Sequence, residues 1–389
     1  MLLGLLGKPN VGKSTILNAA TSAQAQVAPY PFTTIDPNKG VAFATMPCPH
    51  VALGLKACNP RNAACINGVR QVPVNLVDVA GLVPGAHTGK GMGVEFLSDA
   101  AQADVLLVVA DASGGTDDEG VLVSEGTHDP ARDVMIAVEE FEHWLALVIE
   151  RNAAKNKSKP LSALGEALSG LRITEGHLHD TVRKTGVSEH FDKWNREERW
   201  QVAKTLRALA KPIIVAANKV DSRFGKENVE KIKKAFPELS VVPVAADTEL
   251  ALKKAAEKGW VKYDGKSVEV VGSNLPAPVL GALEKIKGTL KEWGSTGVRE
   301  LVNRAVFEAG NKIVVFPVED ETHYSDHKGM VLPDAILLPR GATPPELAGA
   351  VHTDLAQGFL YAVNARNKQR LGKEHKLENG DIIRIVSAR

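Results

Sequence analysis

Leu2-Leu-Gly-Leu-Leu6, then Gly7-Lys8-Pro9-Asn10-Val11-Gly12-Lys13-Ser14-Thr15, then Ile16-Leu-Asn-Ala-Ala20: this opening decides how the chain is read. The apolar run Leu2–Leu6 predicts a buried strand, and the stretch from Thr15 predicts a helix. Between them lies Gly-x-x-x-x-Gly-Lys-Ser, and strand, glycine-rich loop and helix together make a phosphate-binding loop. Glycines allow backbone N–H groups to turn inward around an anion, and the helix offers its positive N-terminus. Lys13 is expected on the β- and γ-phosphates and the Ser14 hydroxyl on Mg²⁺. A chance match in a glycine-rich turn would lack the flanking strand and helix.

Ala28–Gly40 follows, with three prolines that forbid a helix. A polar loop placed after a phosphate-binding helix suits a switch that lays a threonine, Thr33 or Thr34, on Mg²⁺ and the γ-phosphate. A proline-stiffened connection without ligand contact is the alternative. Val41–Met46 and Val72–Val77 read as strands. The second ends in Asp78-Val-Ala-Gly81, an Asp-x-x-Gly in which the carboxylate would hold Mg²⁺ through water and the Gly81 N–H would sense the γ-phosphate. The next stretch carries Gly85, Gly89, Gly91 and Gly93, as a second, mobile switch requires.

Asp104–Asp111 is continuously apolar, hence a strand buried on both faces of a parallel sheet. The sheet resumes at Lys211–Ala217 after a long helical stretch that opens at Asp129-Pro130, a cap followed by proline. Asn218-Lys219-Val-Asp221 then carries base specificity. A carboxylate there accepts both the N1–H and the amino hydrogens of guanine, whereas adenine would leave it buried and unpaired. Asn218 would brace the loop, the Lys219 stem would cover the base, and a backbone N–H at Ala245 or Ala246 would meet guanine O6. Strand and helix alternate throughout, so the fold class is α/β, a mostly parallel doubly wound sheet with ligands at the strands' carboxyl ends. From Lys312 short strands surround one helix, Pro344–Thr353, predicting a small mixed β domain.

The 389 residues suffice for two or three domains. Net charge is +1, so no global basic field argues for nucleic acid, and DNA is not expected. The basic runs Arg151–Lys159 and Arg366–Lys376 are read as solvated hairpins, with RNA contact as the alternative. No apolar run is long enough to cross a bilayer. Cys48, Cys58 and Cys65 show neither Cys-x-x-Cys spacing nor a matching histidine pair, which predicts free thiols in a reducing cytosol rather than a zinc site.

The phosphate loop, Tyr30-Pro-Phe-Thr-Thr-Ile-Asp-Pro-Asn38, Asp78-Val-Ala-Gly-Leu-Val-Pro-Gly-Ala86 with Gly89-Lys-Gly91, and Asn218-Lys-Val-Asp221 together resemble an Obg-family GTPase, in the YchF branch and its archaeal form. Pro339-Arg-Gly-Ala-Thr-Pro344, Ala350-Val-His-Thr-Asp-Leu355 and Asn379-Gly-Asp-Ile-Ile-Arg-Ile-Val386 resemble a TGS domain, a β-grasp module. The resemblance covers nearly the whole chain. It implies Lys13 on the phosphates, Ser14 and Thr34 on Mg²⁺, Asp78 and Gly81 at the γ-phosphate, and Asn218, Lys219 and Asp221 on the base. It also implies that a hydrophobic residue, Leu82, stands where other GTPases carry the glutamine that positions water. Asn10 is similar to the loop asparagine that holds K⁺ in potassium-dependent relatives.

Two positions depart from the pattern. YchF proteins carry Asn-x-x-Glu at the base loop and prefer ATP, whereas Asp221 argues for GTP. The serine often found before the last-strand alanine is Ala245. The expected organisation is a G domain over 1–112 and 212–310, a helical insertion over 113–211 and a TGS domain over 311–389. The expected function is that of a slow, Mg²⁺-dependent GTPase switch binding GTP and GDP, cytoplasmic, monomeric and associated with the ribosome or rRNA. A YchF-type ATPase and a regulatory RNA- or protein-binding module with incidental hydrolysis are the alternatives.

Overall fold

The computed structural model describes residues 1–21, 38–79, 81–88, 93–156, 158–273 and 275–388. Strand β1 (Leu2–Leu6) leads into α1 (Lys13–Thr21), and β2 (Lys39–Pro47) into the short α2 (Pro49–Ala52). There follow β3 (Ala64–Ile66), β4 (Val69–Asp78), α3 (Gly93–Ala101) and β5 (Val105–Asp111). Four helices come next, α4 (Pro130–Lys155), α5 (Leu161–Leu168), α6 (Glu175–Thr185) and α7 (Arg196–Ala210). The sheet returns with β6 (Ile213–Asn218), α8 (Gly225–Ala235), β7 (Ser240–Val244) and α9 (Ala246–Glu257). A hairpin of β8 (Val261–Tyr263) and β9 (Val268–Val270) precedes α10 (Ala277–Trp293) and α11 (Val298–Asn303). The C-terminal elements are β10 (Lys312–Val318), β11 (Ile336–Pro339), α12 (Pro344–Val351), α13 (Thr353–Gln357), β12 (Phe359–Asn364), β13 (Arg370–Leu371) and β14 (Ile382–Ser387).

The chain divides into two compact units, one containing Asn75–Leu301 with the N-terminal strand, loop and helix, the other Val41–Val74 with Val302–Arg389. In the first, the sheet order is β4-β1-β5-β6-β7, and all these pairings are parallel. Every residue of β5 and β6 is buried, which is why both read as uninterrupted apolar runs. The chain leaves β1 toward β4 and returns to its other side at β5. Ligands of such sheets lie at this switch point, beyond the strands' carboxyl ends. Helix α4 starts where its sequence says it should: Asp129 accepts from the Ala131 N–H and Pro130 fills the first helical position. The helices after β5 build no separate core. Phe141, Trp144, Phe191, Trp194 and Val202 pack in one cluster with Leu6, Val108 and Val215 of the sheet.

In the second unit, β10 alternates its faces. Ile313 and Val315 meet Leu347 and Ala348 of α12 in a five-stranded sheet of order β11-β10-β14-β12-β13, the β-grasp arrangement of a TGS domain. Val314, Phe316 and Val318 point the other way, into a cluster with Ala63, Val72, Leu332 and Ala335. The fold is thus the P-loop α/β domain with helical segments and a C-terminal β-grasp module that the sequence predicts.

Candidate nucleotide site

A cavity of about 360 Å³ opens at the carboxyl ends of β1 and β6. It is lined by Asn10, Gly12, Lys13, Ser14 and Thr15 from the first loop, Asn218, Lys219 and Asp221 from the loop after β6, and Ala246 and Asp247 at the start of α9. Residues more than two hundred positions apart therefore share one wall-to-wall space, through the parallel pairings β1·β5 and β5·β6.

At the phosphate end, Gly12 sits at φ +97°, and a Cβ there would lie 2.2 Å from the Asn218 Nδ2. Only glycine lets the two loops approach this closely. Lys13 is buried, and its ammonium donates to the carbonyls of Gly7 (3.0 Å) and Lys8 (2.9 Å), bridging the neck of the loop. Burial lowers its pKa to about 8, against the opposing pull of Asp78. The Ser14 hydroxyl donates to Asp78 Oδ2 at 2.5 Å, and among the described residues Asp78 Oδ1 is buried without a hydrogen-bond partner. A buried carboxylate oxygen without a donor, beside a serine hydroxyl, is a donor set of hard oxygens that suits Mg²⁺.

Not every residue of the loop turns toward the cavity. Lys8 pairs with Asp133 at 2.6 Å and donates to the Thr116 carbonyl, both buried, so its charge is structural. Val11 is a core residue. Asn10 adopts φ +62° and donates its side-chain amide to the Gly120 carbonyl (2.9 Å), which leaves its Oδ1 as the atom available to a cation. Gly81 lies against Pro9, where a Cβ would come within 2.7 Å of the ring. Leu82 is fully buried in the sheet core, and its N–H donates to the Gly7 carbonyl. Thr33, Thr34, Gly89 and Gly91 lie outside the described residues.

At the base end, Asn218 works as a clamp. Its Nδ2 donates to the Val11 carbonyl (2.9 Å), and its Oδ1 accepts from the Ala246 N–H (3.2 Å). Lys219, at φ +64°, reaches back to the Asn10 carbonyl and the Asp111 carboxylate, each at 2.8 Å. Asp221 is exposed in the cavity wall, its Oδ2 accepting from Thr248 Oγ1. The amides assigned to guanine O6 have protein partners: Ala245 donates to the Thr296 carbonyl and Ala246 to Asn218. Asp247, second in α9 and with a first-turn amide that no helical carbonyl can take, also faces the cavity.

Sequence reasoning missed the segment between β5 and α4. It folds back over the phosphate loop: Gly120 (φ +83°) abuts Pro9 so closely that a Cβ would lie 2.7 Å from the Pro9 carbonyl oxygen. Asp111 accepts from Ser113, Thr116 and Lys219, while Asp133 accepts from the Asp111 N–H and pairs with both Lys8 and His128. The available signal was the trio Gly114, Gly120 and Gly126, all at positive φ.

Comparison with known proteins bears on the family. Residues 2–140 match a family model described as a 50S ribosome-binding GTPase, 216–320 the G4 motif-containing domain of a YGR210-like Obg-like GTPase, and 328–387 a TGS domain. The chain is similar to an uncharacterized GTP-binding protein of Methanocaldococcus jannaschii, with 45% identity over 100% of this chain and 99% of that one. It is 33% identical to another from Schizosaccharomyces pombe, over 90% of each. It is 27% identical to Obg-like ATPase 1 of Homo sapiens, over 98% of this chain and 91% of that one. Among solved structures, a GTP-binding protein from Pyrococcus horikoshii superposes with a TM-score of 0.80 at 35% identity, covering both chains fully. A Schizosaccharomyces pombe YchF GTPase shares the fold, with a TM-score of 0.58 at 22% identity and coverage of 99% and 97%.

Proposed function

The chain belongs to the YchF branch of the Obg-like P-loop GTPases, and on that premise we propose that it is a slow, Mg²⁺-dependent GTPase that acts as a conformational switch. The observation that carries this reading is the cavity in which the Asn218-Lys219-Val220-Asp221 loop faces the phosphate loop. In the proposal, the backbone of Gly7–Thr15 cradles the phosphates, with Lys13 shifting from its two carbonyls onto the β- and γ-oxygens. Asp221 accepts from guanine N1–H and the amino group, the Lys219 stem covers the base, and the Asp247 amide in the first turn of α9, in place of those of Ala245 and Ala246, faces O6. Ser14 and Asp78, with Thr34, would hold Mg²⁺, which neutralises charge on the γ-phosphate when bound. Gly81 is the backbone sensor of that phosphate. Leu82, committed to the core, cannot orient the attacking water, which accounts for slow intrinsic turnover. A K⁺ at Asn10 Oδ1 belongs to the same proposal and predicts faster turnover in K⁺ than in Na⁺ buffer. Equal rates would remove it.

The switch is proposed to work in the cytoplasm as a monomer, with the ribosome or rRNA as partner, a reading supported by the description of the matched 50S ribosome-binding model. The division into a G domain (1–112 and 212–310), a helical insertion (113–211) and a TGS domain (311–389) belongs to the same proposal. The rival reading is an ATPase, favoured by the likeness to Obg-like ATPase 1. Titration of labelled GDP and ADP into wild type and Asp221→Glu separates the two. Tight GDP, weak ADP and a preference eroded in the variant support guanine readout by Asp221. ADP binding as tight as GDP in the wild type transfers the assignment to ATP.

A further inference from the structure

Three thiols and an imidazole meet away from the nucleotide cavity. Cys48 precedes α2, His50 lies in its first turn, Cys58 sits in the loop after it, and Cys65 is in β3. One ligating atom from each of the four lies within 4.8 Å of all the others. Cys48 Sγ is 3.8 Å from Cys58 Sγ, and Cys65 Sγ is 3.8 Å from His50 Nδ1. A tetrahedral zinc ion, with bonds of about 2.3 Å to sulfur and 2.0 Å to nitrogen, sets its sulfurs about 3.8 Å apart and a sulfur about 3.5 Å from a nitrogen. Two of the six edges of that tetrahedron are thus already near their final length, and none exceeds 4.8 Å. A disulfide would use two of them and leave the convergence of the other two without a cause.

Charge gives an independent argument. Arg70 is fully buried, its Nη2 donating to the Leu332 carbonyl and its guanidinium lying 5.2 Å from the centre of the Phe316 ring. Among the described residues its Nε and Nη1 have no hydrogen-bond partner and no carboxylate pairs with it. Its field acts on all three cysteines. A divalent ion with three thiolates and a neutral imidazole carries one net negative charge, which Arg70 matches.

We propose that Cys48, His50, Cys58 and Cys65 form a closed structural zinc site. Four protein ligands fill the tetrahedron, so no position remains for a substrate. The ion staples the irregular chain between α2 and β3 to both. That chain in turn holds the 331–335 segment, through Asn59 N–H to the Val331 carbonyl (2.8 Å), Arg61 N–H to the Pro333 carbonyl (2.7 Å) and a reciprocal pair between the Asn62 amide and Ala335 (3.1 and 2.9 Å). The spacing along the sequence argued against zinc, because the ligands do not come as two short pairs. The fold brings them together by pairing β3 with β4 and tying the start of α2 to the turn between them through the Cys48 N–H and the Gly68 carbonyl (2.8 Å).

The test uses the full chain, purified under reducing conditions without chelator. Elemental analysis is expected to find one zinc per chain. After chelator stripping, titration of the wild type with Co²⁺ is expected to saturate at one equivalent, with thiolate-to-cobalt charge transfer and tetrahedral d–d absorption that zinc then abolishes. Cobalt at the oxygen ligands of the nucleotide site gives no thiolate band, so the two sites are distinguishable. Cys58→Ser and Cys65→Ser should each lower zinc from one per chain to a trace. The wild-type titration does not depend on how the variants fold. A reduced chain that holds no zinc and shows no charge-transfer band overturns the proposal. So does a Cys48–Cys58 disulfide in freshly purified protein, seen as a mass lower by two hydrogens with one thiol left to titrate.

Discussion

Lys13 has two tasks that exclude one another. In the structure its ammonium ties Gly7 to Lys8, and the proposed chemistry needs the same ammonium on phosphate oxygens. Its pKa, lowered to about 8 chiefly by burial, makes this testable. Phosphate binds the protonated form, so bound nucleotide raises the pKa. Affinity for GDP should hold steady below pH 8 and fall above it, by up to about tenfold per pH unit. The fold itself responds with the opposite sign: the depressed native pKa means that the unfolded chain binds more protons between pH 8 and 10.5, so this lysine's contribution to stability rises through that window. Calorimetric titration beside urea unfolding from pH 7 to 9.5 separates the two, and affinity that stays flat above pH 8 would refute the role given to Lys13. Leu82 supports a second expectation. Leu82→Gln would bury an amide in the core rather than present it to water. A loss of about 1–3 kcal/mol in urea unfolding with no gain in turnover is expected. A faster variant would mean that this side chain can reach the γ-phosphate after all.

At the scale of elements, the segment between β5 and α4 is held to the phosphate loop by a buried ion pair, Lys8 with Asp133, at 1% and 0% side-chain exposure. Removing one partner of such a pair leaves a buried charge without compensation, at a cost of about 3–5 kcal/mol. Asp133→Ala should therefore lose stability on that scale and weaken nucleotide binding, while the Lys8→Met/Asp133→Ala double variant should recover much of the stability. A double variant no better than the single one in urea unfolding would show that the pair is not the brace. This network was not legible in the sequence, because Lys8 and Lys219 each reach partners more than a hundred positions away and the rest join through turns with no periodic pattern. Strands β1, β5 and β6 and the start of α4 were legible, since continuous burial and an Asp-Pro cap leave local marks. Helix α9 was missed for a specific reason. Its N-cap is Ala245, which offers no side-chain cap, and the Ala246 amide is instead capped by Asn218 from the neighbouring strand's end. A helix started by a distant side chain carries no N-terminal signal of its own. The candidate site was legible at its two ends, Gly7–Thr15 and Asn218–Asp221, because each is a contiguous motif. The commitment of Asn10 to Gly120 and of Lys8 to Asp133 depends on the loop that no motif announces.

For the whole molecule, the division into units decides which pieces of chain can stand alone. A TGS-like boundary near residue 311 suggests that truncation after Gly310 would release an intact N-terminal part. The second unit is differently composed: Val41–Val74 folds with Val302–Arg389. Val314, Phe316 and Val318 of β10, with Leu332 and Ala335, form one buried cluster with Ala63 and Val72. Met46, Leu53 and Cys58 pack at its margin. Each apolar side chain returned to water costs about 1.5–3 kcal/mol. The 1–310 chain should therefore bind hydrophobic dyes, unfold at lower urea concentration than the full chain and be cut by protease first between Cys48 and Ile66. Nucleotide binding should survive better than stability, since every residue lining the cavity belongs to the first unit. Mass spectrometry of limited digests, with and without GDP, reads both effects. A 1–310 chain as resistant as the full one through Cys48–Ile66 would mean that this stretch needs no partner from the C-terminal 79 residues, and the cluster around Phe316 would lose the role in stability assigned to it.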